Sequence, residues 1–112
     1  MVRKECKMET YIQVTTTTED ESEAQAIARA VVEKRLAACA QVIGPITSTY
    51  WWQGKVETAQ EWLCAIKSRA ALYKELERAI QAIHPYKEPE IIATPIVKGS
   101  EGYLAWMDEI TK

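Results

Sequence analysis

A long β-hairpin in the middle of the chain is the feature that most limits what this sequence can fold into. Residues 39–52 are nearly all strand formers, and a second extended run, residues 56–67, follows the turn residues Gln53-Gly54. Gly44-Pro45 interrupts the first arm and cannot continue a regular ladder, so we expect a bulge or bend there. The sequence therefore predicts two paired antiparallel strands of unusual length.

The hairpin is too long for the core of a chain of this size. Strands of about 12 to 14 residues extend about 40 Å, whereas the expected radius of gyration is only about 13 Å. Its far end carries Tyr50, Trp51 and Trp52, and Trp62 lies on the returning arm. Exposed aromatic edge strands aggregate unless they have a partner, so we predict that these four residues form an interface between copies of the chain. The alternative is that the hairpin bends at Gly44-Pro45 and covers its own sheet.

The remaining periodicities complete a βαββαβ order with an additional C-terminal helix. Alternating apolar residues predict a first strand near residues 11–17, and helical spacing predicts helices at about 22–36 and 72–83. A strand at 91–97 and a short helix carrying Tyr103, Trp106, Met107 and Ile110 on one face follow. This order is typical of the α+β, ferredoxin-like arrangement of four antiparallel strands with two helices on one face.

The acidic run before the first helix has two interpretations. Ser22 and Gln25 have the spacing of a capping box, and carboxylates from Glu19 to Glu23 would lie at the positive end of the helix dipole. A cluster that binds a metal ion is the other interpretation. We favour helix capping.

Composition excludes several classes of protein. The 112 residues, 47% of them hydrophobic, suffice for one core without a cofactor, and we expect a single domain at residues 11–112 after a tail at 1–10. A formal net charge of −2 lacks the basic excess that nucleic-acid binding needs. The chain has no run of 18 apolar residues and no signal-peptide pattern, and its three cysteines form no disulfide framework. We therefore expect a cytoplasmic protein with no membrane or nucleic-acid partner.

Enzymatic motifs are absent from the sequence. One histidine and no nucleophile elbow leave a hydrolase unsupported, and no glycine-rich phosphate-binding motif occurs. We predict that the protein is not an enzyme.

Four motifs, in the right order and at the right spacing, resemble the CutA family from about residue 11 to the C-terminus. They are Arg35-Leu36-Ala37-Ala38-Cys39-Ala40-Gln41-Val42, Ile46-Thr47-Ser48-Thr49-Tyr50-Trp51-Trp52-Gln53-Gly54-Lys55-Val56-Glu57, His84-Pro85-Tyr86 with Pro89-Glu90-Ile91, and Tyr103-Leu104-Ala105-Trp106. The resemblance implies a ferredoxin-like, PII-like homotrimer with strands extended between subunits. It also implies a role in tolerance of divalent cations, with copper the metal most often assigned.

The resemblance carries over only part of a copper site. Family members assigned such a site have a cysteine on the first strand and a histidine pair before Pro-Tyr, whereas Thr15 and Ile83 stand at two of those positions here. Only His84 matches, so we name it as a metal ligand, with helix capping or packing as the alternative. Since a hydroxyl and an alkyl group cannot replace thiolate and imidazole, copper binding by that route should be weak.

The three cysteines have different expected roles. Cys39 lies in the first family motif and is either a small core residue or a second metal ligand. Cys64, between Leu63 and Ala65, is predicted to lie in the core. Cys6 in the tail could bind metal adventitiously.

A ligand pocket between subunits is the other candidate site. Glu61, Lys67, His84, Tyr86 and Trp106 would combine carboxylate, ammonium, imidazole and aromatic groups. Alternatively, Lys67 pairs with Glu61 on a solvated strand face while the aromatic residues pack. Two functions therefore remain: a metal-responsive binding protein, or a PII-like signalling or scaffold module that binds a small molecule or a protein.

Overall fold

The computed structural model describes residues 10–112, and its order of elements confirms the predicted βαββαβ arrangement with a C-terminal helix. The predicted tail lies almost wholly outside these residues. The strands are β1 (Tyr11–Thr18), β2 (Cys39–Trp52), β3 (Lys55–Arg69) and β4 (Ile92–Pro95), and the helices are α1 (Glu21–Glu33), α2 (Tyr73–Ile83) and α3 (Glu101–Ile110).

One antiparallel sheet in the order β2-β3-β1-β4 forms the frame of the molecule. Its two central strands, β1 and β3, are adjacent although they are far apart in sequence, as the ferredoxin-like fold requires. Strands β2 and β4 are the two edges. No helix within residues 10–112 is long and apolar enough to cross a membrane.

The two faces of the sheet differ in what covers them. Side chains of one face, such as Val14 and Ile66, are fully buried in a core with residues of α1 and α2, among them Ile27, Leu76 and Ile80. Alternation along the strands sends the neighbouring side chains to the opposite face, which we call the open face. It carries Gln13 and Thr15 from β1, Ala65 and Lys67 from β3, Cys39 and Gln41 from β2, and Ile92 and Thr94 from β4.

The β2–β3 hairpin has the predicted length and irregularity. Pairing is interrupted by a bulge between Ile43 and Ile46, where Gly44-Pro45 is a cis peptide. Gln53 and Gly54 form the turn with φ of 52° and 80°, both left-handed as a two-residue hairpin loop demands. The molecule measures 49 × 31 × 24 Å, with a radius of gyration of 15.2 Å. This exceeds the value of about 13 Å for a compact chain of this size, so the hairpin overruns the core as predicted.

Helix α1 begins and ends differently from the prediction. Asp20 is the N-cap residue and makes no side-chain capping bond, so the predicted Ser22–Gln25 capping box is wrong; Gln25 instead donates to Glu21 Oε2 at 3.2 Å. Glu21 and Glu23 still lie in the first turn, where the helix dipole favours them. The helix ends at Glu33 rather than near Leu36, because Arg35 adopts a left-handed φ of 59° and Leu36 N–H returns to Val31 O at 3.0 Å.

The C-terminal third differs from the prediction mainly in its bounds. A single 3-10 turn at Ala70–Leu72 precedes α2, and β4 is shorter than the predicted 91–97, although Ile96 N–H still bonds Tyr11 O at 2.9 Å. Helix α3 buries Met107 completely but leaves Tyr103 and Trp106 each 40% exposed.

Candidate functional site

His84 lies where α2 ends and is buried against the first strand. Its Nε2 is 2.9 Å from Thr17 O and 3.0 Å from Thr16 Oγ1, while Tyr86 N–H donates to its Nδ1 at 3.1 Å. Because a carbonyl can only accept, Nε2 must carry the proton, and Nδ1 must be unprotonated to accept from Tyr86. Burial lowers the pKa of His84 below its ordinary value, against the opposing effect of the bond to Thr17 and of Glu23 and Glu61. The site therefore holds one neutral tautomer.

Tyr86 connects this histidine to the hairpin. Its hydroxyl donates to Glu61 Oε2 at 2.7 Å, and its ring lies 4.9 Å from that of His84, tilted by 55°. Burial first, and the bond to Glu61 second, raise the pKa of Tyr86 far above its ordinary value. The phenol is thus a permanent donor that ties the turn after α2 to strand β3.

Glu23 adds a second carboxylate near the imidazole. Its Oε1 is buried and has no hydrogen-bond partner within the described residues. Sequence reasoning assigned the acidic run to helix capping and so missed that the charge of Glu23 raises the pKa of His84.

The two positions that differ from the family's copper pattern are well apart. Thr15 lies on the open face, opposite Ala65 and Ile92, whereas its neighbour Thr16 bonds His84 on the helix-covered face. Ile83 ends α2 with 44% of its surface exposed. Neither position supplies a metal ligand in this chain.

Cys39 and His84 do not meet within one chain. Cys39 is half-buried on the open face as the cross-strand partner of Lys67, so the whole sheet separates it from His84. The interpretation of Cys39 as a core residue is wrong, whereas that of Cys64 is confirmed, since Cys64 is fully buried and burial raises its pKa to about 11. Across residues 10–112, no three His, Cys, Asp or Glu side chains form a group that could hold a metal ion. Metal binding by either residue stays a prediction.

The five predicted pocket residues fall into two groups. Glu61, His84 and Tyr86 are in contact, as described above, but Lys67 lies six residues further along β3, a distance of about 20 Å. Lys67 does not pair with Glu61; its Nζ donates to Gln41 Oε1 at 2.8 Å. A cleft between subunits that unites the two groups stays a prediction.

Lys67 belongs to a second cluster of side chains, on the open face. We call it the Lys67 cluster, and its members are Cys39, Gln41, Lys67, Tyr103 and Trp106. Burial raises the pKa of Tyr103, and the adjacent Cys39 thiol raises it further. The rings of Tyr103 and Trp106 are 5.5 Å apart, tilted by 43°. Sequence reasoning missed Gln41 and Tyr103 as site residues, although Cys39 and Gln41, two apart on one strand, were bound to share a face.

The aromatic residues of the hairpin separate into exposed and packed members. Trp51, Trp52 and Tyr50 are 74%, 58% and 42% exposed, and the neighbouring Val56 is 59% exposed. Trp62 instead packs within its own chain, partly buried against the core and against Gly44. Of these four aromatic residues, Tyr50, Trp51 and Trp52 therefore leave a large apolar surface that nothing within residues 10–112 covers.

Comparison with known proteins finds close relatives. A family model described as "CutA1 divalent ion tolerance protein" matches residues 12–110. Protein CutA of Mus musculus is 45% identical over 93 residues, which cover 83% of this chain and 52% of the mouse protein. The divalent-cation tolerance protein CutA of Thermus thermophilus is 43% identical over 95 residues, covering 85% of this chain and 92% of that protein. The chain thus spans about half the length of its mammalian relatives but nearly all of the bacterial one.

Solved structures give the same result. The divalent cation tolerance protein of Thermus thermophilus superposes with a TM-score of 0.88 at 41% identity, covering 91% of this chain and 99% of that one. CutA1 of Oryza sativa superposes with a TM-score of 0.89 at 36% identity, covering 94% and 96%. A relative from Arabidopsis thaliana is named chloroplastic, so compartments differ among these proteins.

Proposed function

The chain belongs to the CutA1 divalent ion tolerance family, and on that premise we propose that it is a homotrimer that takes part in divalent-cation tolerance by binding the cation itself. It acts in the cytosol as a binding protein and not as an enzyme. Family membership is the observation that carries the proposal. Copper is the first metal to test, because it is the one most often assigned in the family.

The exposed end of the hairpin supports the trimer. Trp51 and Trp52 are more than half exposed in one chain, and β2 and β4 are the edge strands of the sheet that residues 10–112 form. Contact with a second copy would remove this apolar surface from water and satisfy the edges. Light scattering on the purified protein should give a mass near three times the 12.7 kDa of one chain. A monodisperse monomer would remove the basis of the assembly.

The tautomer of His84 supports its role as the metal ligand. Ligating histidines usually donate their second ring N–H to a carbonyl or carboxylate, and here Nε2 donates to Thr17 O. That bond leaves Nδ1 as the nitrogen with a lone pair, which a cation can take only if Tyr86 N–H gives up its bond. Glu61 and Glu23, whose Oε1 has no hydrogen-bond partner within residues 10–112, supply negative charge nearby.

Isothermal titration calorimetry of the full chain with Cu²⁺, Zn²⁺ and Ni²⁺ tests the metal proposal. The Cys6→Ser variant removes the one thiol outside the described residues, so heat that remains does not come from that thiol. We expect stoichiometric binding that His84→Ala abolishes and that Cys39→Ser leaves unchanged, since the two residues lie on opposite faces of the sheet. Binding that survives His84→Ala would assign the site to other ligands, and no heat with any cation would reject the proposal.

The Lys67 cluster favours a second candidate function. A PII-like signalling or scaffold module would bind a small molecule or a protein partner without a metal. The same calorimetry separates the two functions, because metal-independent binding is unaffected by a chelator. A trimer that binds no cation and still binds a ligand would support this second candidate.

A further inference from the structure

We propose that the Lys67 cluster is a binding site for the carboxylate of a small organic acid, with Lys67 and Gln41 as donors and the rings of Tyr103 and Trp106 as the wall for its apolar part. This inference names a ligand class for the second candidate function and does not depend on metal binding. The site is on the open face, away from His84.

The ammonium group of Lys67 is the donor that would bind the carboxylate. Within residues 10–112, the salt bridges are Arg29–Glu33 and Lys112–Glu75, so no carboxylate of this part of the chain neutralises Lys67. The partner of its ammonium is the neutral amide of Gln41, at 2.8 Å. The side chain of Lys67 is half-buried, but the bond from its Nζ to Gln41 is exposed, so a ligand can reach the ammonium from solvent. An ammonium group held by a neutral acceptor still has two N–H donors for an anion.

The side-chain amide of Gln41 is oriented by its bond to Lys67. An ammonium group can only donate, so Gln41 must direct its Oε1 to Lys67 and its Nε2 amide protons away from it. In the described part of the chain, Nε2 makes no further hydrogen bond. Lys67 and Gln41 thus present donors side by side. Such a pair favours a carboxylate over its amide, because the bond between the ammonium and a carboxylate is charge-assisted and roughly twice as strong as a neutral one.

The rings of Tyr103 and Trp106 favour an organic acid over an inorganic anion as the ligand. Tyr103 lies beside Cys39, and Cys39 is the cross-strand partner of Lys67, so α3 brings the Tyr103 ring to the strand position opposite Lys67. Trp106, one turn further along α3, remains 40% exposed. Its indole lies against the Tyr103 ring, so the two rings together can pack against the apolar body of a ligand whose carboxylate is held by Lys67.

Binding of sodium benzoate to the full chain, with EDTA present, tests the inference by calorimetry and saturation-transfer NMR. We expect saturable binding, weakened at least about tenfold by Lys67→Met, since a lost charge-assisted bond has about that effect. Gln41→Glu should weaken it similarly, because a carboxylate at position 41 would occupy Lys67 and repel the ligand. Lys55→Met, which removes an exposed lysine at the hairpin turn, is the matched control and should leave the affinity unchanged.

Additional binding measurements with other ligands and variants define the class of ligand. Benzamide should bind at least about tenfold more weakly than benzoate. Trp106→Ala should weaken benzoate but not acetate. Each variant is used only if its circular dichroism and scattering mass match the wild type, and if Lys67→Met misfolds, Gln41→Glu alone decides. No saturation below about 10 mM benzoate, equal affinity of Gln41→Glu, or binding of inorganic phosphate but not benzoate would each overturn the proposal. None of these outcomes affects the metal proposal, because EDTA removes metal ions from the experiment.

Discussion

The indole ring of Trp62 packs so closely against Gly44 that a Cβ on this glycine would lie 2.6 Å from Trp62 Cε3 and 3.2 Å from Glu61 O. The contact sits at the bulge between Ile43 and Ile46, where β2 and β3 change register. Glycine is therefore required at position 44 by the close approach of the neighbouring strand. Trp62 is itself partly buried and packs against the hydrophobic core.

This packing predicts the effect of a single methyl group. Gly44→Ala should lower the free energy of unfolding by about 1 to 3 kcal/mol, the typical cost of overpacking, because both the ring and the backbone must move. Gly102→Ala is the matched control: a Cβ there meets no atom within 4 Å, and alanine favours helix α3 by about 0.5 to 1 kcal/mol. Urea unfolding of both variants measures the difference. Equal stabilities would show that the strands separate freely at the bulge.

The neutral state of His84 predicts a pH dependence of stability. Since burial lowers the pKa of His84 in the folded state, the unfolded chain takes up a proton first as pH falls below about 6.5. The contribution of His84 is therefore complete above that pH and is lost as pH falls toward the folded-state pKa. His84 is the one histidine of the chain, so no other histidine contributes to the pH dependence.

Unfolding free energies of wild type and His84→Gln, measured from about pH 7.5 to pH 5, test this dependence. The wild type should lose more stability on acidification than the variant, because glutamine does not titrate. Contributions from carboxylates occur in both proteins and cancel in the comparison. Parallel curves would mean that His84 is protonated as easily in the folded protein as in the unfolded chain.

The sequence predicted the fold well because its strongest signals were local. The hairpin followed from residue type and from the turn at Gln53-Gly54, and the two long helices followed from apolar spacing. The end of α1 could not be predicted, because it depends on Arg35 adopting a conformation usually left to glycine. The structure shows what holds it there: Arg35 Nη1 donates to Ile110 O at 2.9 Å, and its carbonyl accepts from Lys112 N–H at 2.9 Å.

The candidate site was predicted less well because its distances depend on register. Glu61 and Lys67 lie six residues apart on one strand, about 20 Å, so within one chain they cannot share a small pocket. The register of β3 with β2 sets Lys67 opposite Cys39 and within hydrogen-bond distance of Gln41. Glu61 lies further along the hairpin, where it accepts a hydrogen bond from Tyr86. The turn at Gln53-Gly54 sets the register at the end of the hairpin, but the extra residue of β2 at the bulge between Ile43 and Ile46 shifts it from there to Lys67.

The residues at the family's copper positions predict weak copper binding. Thr15 offers a hydroxyl group on the far face of the sheet, and Ile83 offers an alkyl chain beside His84. Cu²⁺ prefers several nitrogen or sulfur ligands, so a site based on one imidazole should lose the metal to a competing chelator. Ile83→His restores the histidine pair at an exposed position and should strengthen copper binding by about tenfold or more. Tight binding by the wild type that survives both His84→Ala and Cys6→Ser would reveal ligands elsewhere.

The exposed end of the hairpin predicts a loss that depends on protein concentration. Trp52 is 58% exposed in one chain, so Trp52→Ala should change the stability of a single subunit little. Truncating a buried aromatic residue costs about 3 to 5 kcal/mol, and at an interface this cost appears in the association constant. Every subunit of the proposed trimer loses the contact, so assembly should weaken strongly and the melting temperature should depend more steeply on concentration.

Trp62→Ala provides the contrast, because Trp62 packs against Gly44 and the core of its own chain. That variant should lower the melting temperature by a similar amount at every concentration, since it removes packing inside the subunit. Dilution series of both variants and of the wild type, followed by scattering and circular dichroism, separate the two effects. If Trp52→Ala keeps the wild-type mass and melting temperature on dilution to nanomolar concentration, the hairpin end does not anchor the assembly. The apolar surface of Trp51 and Trp52 would then be available to a partner other than a second copy of the chain.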